Sequence, residues 1–166
     1  ADFEKVDGIV LPGVGAFPDA MARLAELELI APIQKTTKPL LGICLGMQLL
    51  FDESEEVRKT KGLGILKGRI EKFKNVSRIP HIGWNELTFT DGVHSGQNYV
   101  YFVHSFYANE TLPEEVIAYT DYEGVKVPAI VGRHNFTGMQ FHPEKSGEFG
   151  MHLLQEWLQK VGVTVC

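Results

Sequence analysis

The sequence predicts an α/β domain built on an open, mostly parallel sheet with flanking helices and additional antiparallel strands. Three observations point there. The first half alternates short apolar runs with helical stretches, glycine-bearing loops fall where the apolar runs end, and the second half changes to short extended segments punctuated by glycine. Sheets of this kind place their sites beyond the C-terminal ends of the strands, so the loops after the first two runs are expected to face each other.

Residues 6–11, Val-Asp-Gly-Ile-Val-Leu, read as the first strand, and Pro12-Gly13-Val14-Gly15 is the loop that follows. A helix is expected from about 18 to 33, with Pro18 in its first turn and Met21, Leu24, Leu27 and Ile30 at near-helical spacing. A second strand is expected over 38–43, then a helix over 45–51, then a charged surface stretch over 52–61. Extended segments follow at 68–74, 81–89, 99–107, 116–119, 127–132 and 136–141, with turns at glycines such as Gly92, Gly96 and Gly124. The last element reads as a helix over 147–161 with Phe149, Leu153, Leu154, Trp157, Leu158 and Val161 on one apolar face, expected to cover the sheet.

A length of 166 residues with 44% hydrophobic and 22% charged content suits one soluble domain with a real core. Sixteen basic residues against 21 acidic ones, a net charge of −5, argue against a nucleic-acid surface. No apolar run approaches the roughly 20 residues a bilayer span needs, and residues 1–5 do not resemble a signal peptide, so the expected location is cytoplasmic. Of the two cysteines, Cys44 sits at the turn between the second strand and its helix. Cys166 is a bland terminal residue, and a structural disulfide is not expected.

Gly42-Ile43-Cys44-Leu45-Gly46 has the pattern of a nucleophile elbow: a side chain on a sharp strand-to-helix turn, with glycines giving room for the tight backbone and for substrate. The helix N-terminus behind it favours a thiolate and an adjacent oxyanion. A cysteine nucleophile needs a base and an orienting partner. Among His81, His94, His104, His134, His142 and His152, the strongest candidate is His142, which ends a strand and is followed by Pro143 and Glu144. In extended backbone Glu144, two residues on, points the same way and can hold the imidazole. His152 in the last helix is expected to be solvated or packed, and His94 and His134 to lie in polar turns. No paired metal-ligand spacing is present, and Pro18 occupies the third glycine position of a dinucleotide fingerprint, so neither a metal nor any other cofactor is expected.

Taken together, Pro12 to Gly15, Gly-Ile-Cys-Leu-Gly-Met-Gln at 42–48 and Gln-Phe-His-Pro-Glu-Lys-Ser at 140–146 resemble the triad-type, class I glutamine amidotransferases in order and separation along nearly the whole chain. Met47, Glu144-Lys145-Ser146 and Pro80-His81-Ile82-Gly83-Trp84-Asn85 are similar to the branch that hydrolyses glutamine to glutamate and supplies ammonia to a cyclase in histidine biosynthesis. The resemblance implies Cys44 as nucleophile, His142 as acid/base and Glu144 as its orienting partner. It implies oxyanion donors from the backbone of Leu45 and of Val14 or Gly15. It also implies a glutamine pocket lined by Gln48 and by the segment His104, Ser105 and Phe106, the segment contributing mainly backbone contacts. A synthase partner, a (β/α)8-barrel cyclase forming a heterodimer, is implied as well, with Gly83, Trp84 and Asn85 as the contact; Trp84 as a plain core residue is the alternative. Family members begin with a further strand, helix and strand, so residues 1–166 are expected to form an amidotransferase domain without that opening segment. Two other readings stay open: a glutaminase subunit for another acceptor, such as anthranilate or aminodeoxychorismate, and a non-catalytic thiol sensor on the same scaffold.

Overall fold

A computed structural model describes residues 3–92 and 98–162, so the expectations attached to His94, Gly96 and Cys166 lie outside the described residues. The first half contains β1 (Ile9–Leu11), α1 (Phe17–Glu26), α2 (Ile30–Lys35), β2 (Leu40–Ile43), α3 (Leu45–Gln48), β3 (Glu53–Ser54), β4 (Thr60–Lys61) and β5 (Arg69–Lys72). The second contains β6 (His81–Glu86), β7 (Thr88–Phe89), β8 (Tyr99–His104), β9 (Phe106–Asn109), β10 (Val116–Tyr122), β11 (Val125–Arg133), β12 (Phe136–Met139) and α4 (Gly147–Val161). They form a six-stranded sheet ordered β1-β2-β12-β11-β10-β7, a four-stranded sheet β4-β3-β5-β9 and the pair β6-β8.

The α/β class holds, and within the large sheet parallel pairing is confined to β1, β2 and β12. From β10 to β12 the strands run antiparallel because the chain turns straight back on itself, and β7 adds antiparallel to β10 at the edge. Glu123 and Gly124, with φ of 51° and 84°, close the β10–β11 hairpin in two left-handed residues, and residues 134–135 alone connect β11 to β12. Along β2, Leu40 and Leu41 are fully buried and belong to separate apolar clusters on opposite faces of the sheet. Leu40 joins Phe17, Met21 and Leu24 of α1 and Ile33 of α2, while Leu41 joins Leu153 and Trp157 of α4. Each such side chain contributes about 1.5–3 kcal/mol by leaving water.

Several boundaries differ from the sequence reading, each for a tertiary or backbone reason. The expected helix over 18–33 is two helices, because Glu28 adopts φ 55° and the N–H of Leu29 closes on the Leu24 carbonyl, a Schellman ending without glycine. Leu27, placed on the apolar face by spacing, is therefore exposed. The helix expected over 45–51 lasts one turn, since the carbonyls of Leu49, Leu50 and Phe51 are taken by N–H groups of residues 63–66. The charged stretch 52–61 holds β3 and β4, built by backbone pairing that no side-chain alternation announces. The run 99–107 breaks at Ser105. Its first part pairs with β6 and its second with β5, so the chain crosses from one sheet to another there.

Candidate active site

Cys44 follows directly from β2, and its N–H donates to the Met139 carbonyl at 2.8 Å, carrying the β2–β12 ladder one residue further. The chain then turns: Cys44 has φ 53° and ψ −111°, a conformation that costs a non-glycine residue about 1–3 kcal/mol. The flanking glycines answer to packing within the protein. A Cβ on Gly46 would stand 1.7 Å from the Leu11 carbonyl oxygen, and one on Gly42 would stand 2.6 Å from the Gly46 oxygen. The room expected for substrate is thus used by β1 and by the one-turn helix itself.

His142 comes from the neighbouring parallel strand, three residues past the end of β12, and its N–H donates to the Tyr101 carbonyl at 3.0 Å. The imidazole Nδ1 lies 2.8 Å from Glu144 Oε1. A carboxylate accepts, so Nδ1 carries the proton and Nε2 is left for acid–base work. The pair meets across a single 3-10 turn over Pro143–Lys145 rather than along extended backbone as expected. Ser146, which sequence reasoning did not single out, fastens this turn: its hydroxyl donates to the His142 carbonyl at 2.6 Å and accepts the Tyr101 N–H at 2.9 Å.

Cys44 and His142 open on a cleft of about 300 Å³. Leu45 and the Val14–Gly15 loop border it on one side and Val103 to Phe106 on the other, with Gln48 and Glu56 in its lining. Among the described residues no hydrogen bond joins Sγ to His142 Nε2; the thiol points at the Val103 carbonyl at 4.0 Å, and Gln140 Nε2 approaches the sulfur at 3.9 Å. Burial pushes the Cys44 thiol up from its ordinary pKa. The Leu45 N–H opposes that, the Glu144 carboxylate adds to it, and Lys145 opposes it. The first N–H of the short helix thus acts in the expected direction, but burial outweighs it. Catalytic contacts often tighten only when substrate is bound.

The residues expected to line a pocket, Gln48 and 104–106, all border the cleft. Gln48 is buried, and both of its amide protons are engaged, one by the Phe106 carbonyl at 2.9 Å and one by Gln140 Oε1 at 3.0 Å, which leaves Oε1 as the group it can offer a ligand. The His104 imidazole is unavailable to substrate through either nitrogen, since Nδ1 meets the Phe106 carbonyl and Nε2 meets His81. Gln140 and Glu56 were missed. Glu56 sits in the charged stretch that reads as surface, yet its Oε2 accepts the Phe17 N–H at 2.8 Å and the side chain lines the cleft.

Trp84 is 53% exposed and packs its ring edge toward Tyr101, its partner in β8, while Gly83 adopts φ 133° and the Asn85 amide donates to the Asp121 carbonyl. The core alternative for Trp84 is therefore set aside. His152 is exposed beside Glu156 at 3.3 Å, and His134 lies in the β11–β12 turn, as expected. A larger groove of about 560 Å³ between α4 and the sheet is lined mainly by apolar side chains and contains none of Cys44, His142 or Glu144. No helix among the described residues is long and apolar enough to cross a membrane.

The glutamine amidotransferase class-I family model matches residues 2–161. The imidazole glycerol phosphate synthase subunit HisH of Lactococcus lactis subsp. lactis is 48% identical over 169 residues, covering 96% of this chain and 83% of its own. The subunit of the same name from Bacillus cytotoxicus is 50% identical over 159 residues, covering 90% and 75%. In fold, a crystal structure of a glutamine amidotransferase superposes with a TM-score of 0.69 at 21% identity, covering 96% of this chain and 82% of that one. A glutamine amidotransferase from Thermotoga maritima gives 0.57 at 20% identity, covering 96% and 65%.

Proposed function

This chain belongs to the class I glutamine amidotransferase family, and from that premise we propose that it is the glutaminase subunit of an imidazole glycerol phosphate synthase, releasing ammonia for histidine biosynthesis. The observation that carries the chemistry is the pairing of Cys44 with a Glu144-oriented His142 at the ends of adjacent parallel strands, both open to one cleft.

In this reading glutamine enters with its carboxamide over Cys44. The carboxylate of Glu56 and the Oε1 of Gln48 are the acceptors that suit its α-ammonium group. His142 Nε2 takes the thiol proton as Sγ attacks the carboxamide carbon, and Glu144 stabilises the imidazolium that forms. The tetrahedral oxyanion is held by the N–H of Leu45 and one from the Val14–Gly15 loop. A single such donor is worth about 3 kcal/mol in the transition state. His142 then gives its proton to the leaving nitrogen, ammonia departs, and a water activated by His142 hydrolyses the thioester to glutamate.

A cyclase partner would seat on the outer face of β6, where Ile82 and Trp84 stand exposed beside the strand whose Tyr101 carbonyl holds the His142 N–H. The test is glutamate release by this chain with and without a candidate cyclase. Cys44→Ala is expected to abolish glutamine-dependent product formation while synthesis from ammonium salts survives. A Cys44→Ala protein that still releases ammonia from glutamine would overturn the proposal.

A further inference from the structure

His81 and His104 form a buried pair that the reaction above does not use. His81 is fully buried, its ring stacked against Phe102 at 4.7 Å and Tyr122 at 3.9 Å between centroids. Its Nδ1 lies 3.0 Å from His104 Nε2, and His104 Nδ1 lies 2.8 Å from the Phe106 carbonyl oxygen. A carbonyl only accepts, so neutral His104 carries its proton on Nδ1 and accepts at Nε2. His81 must then donate from Nδ1, which leaves its own buried Nε2 with no hydrogen bond of good geometry among the described residues, the Asn85 side chain being its nearest polar neighbour to act on the ring. An unmade buried acceptor is costly, and an apolar ring would fill this place without that cost.

The hydrogen bonds do not stop at the pair. The Phe106 carbonyl that holds His104 also accepts from Gln48 Nε2 at 2.9 Å, whose other proton goes to Gln140 Oε1 at 3.0 Å. Gln140 Nε2 in turn stands 3.9 Å from Cys44 Sγ. An unbroken series therefore runs from β6 through the cleft wall to the nucleophile. We infer that His81 and His104 are positioning residues for Cys44: by fixing the Phe106 carbonyl and through it Gln48, they set the Gln140 amide against the sulfur. An amide N–H directed at sulfur favours the thiolate, so this placement eases loss of the thiol proton. The charged and titratable groups that face Cys44 besides this series are His142, Glu144 and Lys145 on the turn after β12, and Glu56 in the same cleft.

The inference rests on the glutaminase reading for its kinetic arm only. His81→Phe keeps the ring stack and removes the donor; we expect kcat for glutamine hydrolysis to fall about tenfold with KM within about twofold. The midpoint of Cys44 alkylation by iodoacetamide against pH should rise by about half a unit or more. Gln140→Leu should do the same, and the double variant should be no worse than Gln140→Leu alone. His81→Asn, whose amide nitrogen stands where Nδ1 stood, should recover both readouts to within about twofold to threefold. Should His81→Phe fail to fold, His81→Met takes its place in the cycle. Unchanged kcat and alkylation midpoint in the donor-less variant, losses that multiply in the double variant, or His81→Asn no better than His81→Phe would each overturn the inference. A wild-type chain that alkylates as expected but never hydrolyses glutamine would instead count against the proposed function.

Discussion

The two sides of the cleft are built by opposite means. On one, Cys44 and His142 hang from the ends of neighbouring parallel strands, and their positions are set by local backbone: a left-handed residue, two glycines pressed against main chain, and one tight turn. On the other, Val103 to Phe106 lie where a chain leaves one sheet for another, and that wall is held by side chains that reach it from far along the sequence, His81, Gln48 and Gln140. On the proposed mechanism the elbow carries the reacting atoms, and main-chain packing fixes its shape. The wall is rigid only while its hydrogen bonds are made, which makes it the side on which activity is adjustable.

The sharpest way to break this comparison is at the elbow's packing. Gly46→Ala drives a Cβ into the Leu11 carbonyl oxygen and cannot be relieved by a side-chain rotation, so a loss of about 3 kcal/mol or more is expected by urea unfolding. A stable Gly46→Ala protein would show that the elbow yields after all. Next in size, Glu144→Gln removes the charge that supports the His142 imidazolium. Because Glu144 is half exposed, solvent already screens part of that charge, and a fall in kcat of about 10²-fold with little change in KM is expected from steady-state kinetics.

The wall is probed by pH. His104 takes up a proton near pH 6.5 when unfolded, whereas burial, partly opposed by its bond to the Phe106 carbonyl, depresses its pKa to about 3 in the fold. Above pH 6.5 both states are neutral at this site. Below it only the unfolded chain binds the proton, so stability should fall by about 1.4 kcal/mol per pH unit down to about pH 3. His81, whose pKa burial also lowers, acts in the same direction. Urea midpoints at pH 7.5 and 5 for the wild type and for His104→Gln check this, with the variant expected to lose part of the slope. The smallest effect returns to the elbow: Cys44→Gly abolishes activity yet relieves the left-handed strain, and should raise stability by about 1 kcal/mol, offset in part by the entropy of glycine. If the variant is instead destabilised by thermal melting, strain at Cys44 is not the reservoir its backbone angles imply.

What the sequence by itself determined is the part of the molecule written in local terms. Gly42 and Gly46 around Cys44 announce a tight strand-to-helix turn because a side chain at either glycine would meet main chain, His142 and Glu144 lie close enough in sequence to meet whatever the long-range fold does, and α4 declares itself by a periodic apolar face that ends at left-handed Gly162. The break at Glu28 escaped because a non-glycine residue took the left-handed position, and β3 and β4 escaped because backbone pairing made them. Only the tertiary structure decided that both His104 ring nitrogens are taken up by His81 and the Phe106 carbonyl, that Glu56 leaves its charged stretch for the cleft, that Gln140 meets the sulfur and that Trp84 is exposed. Those outcomes depend on contacts between residues tens of positions apart, and a hydrogen bond leaves no periodicity in the chain from which it could be read.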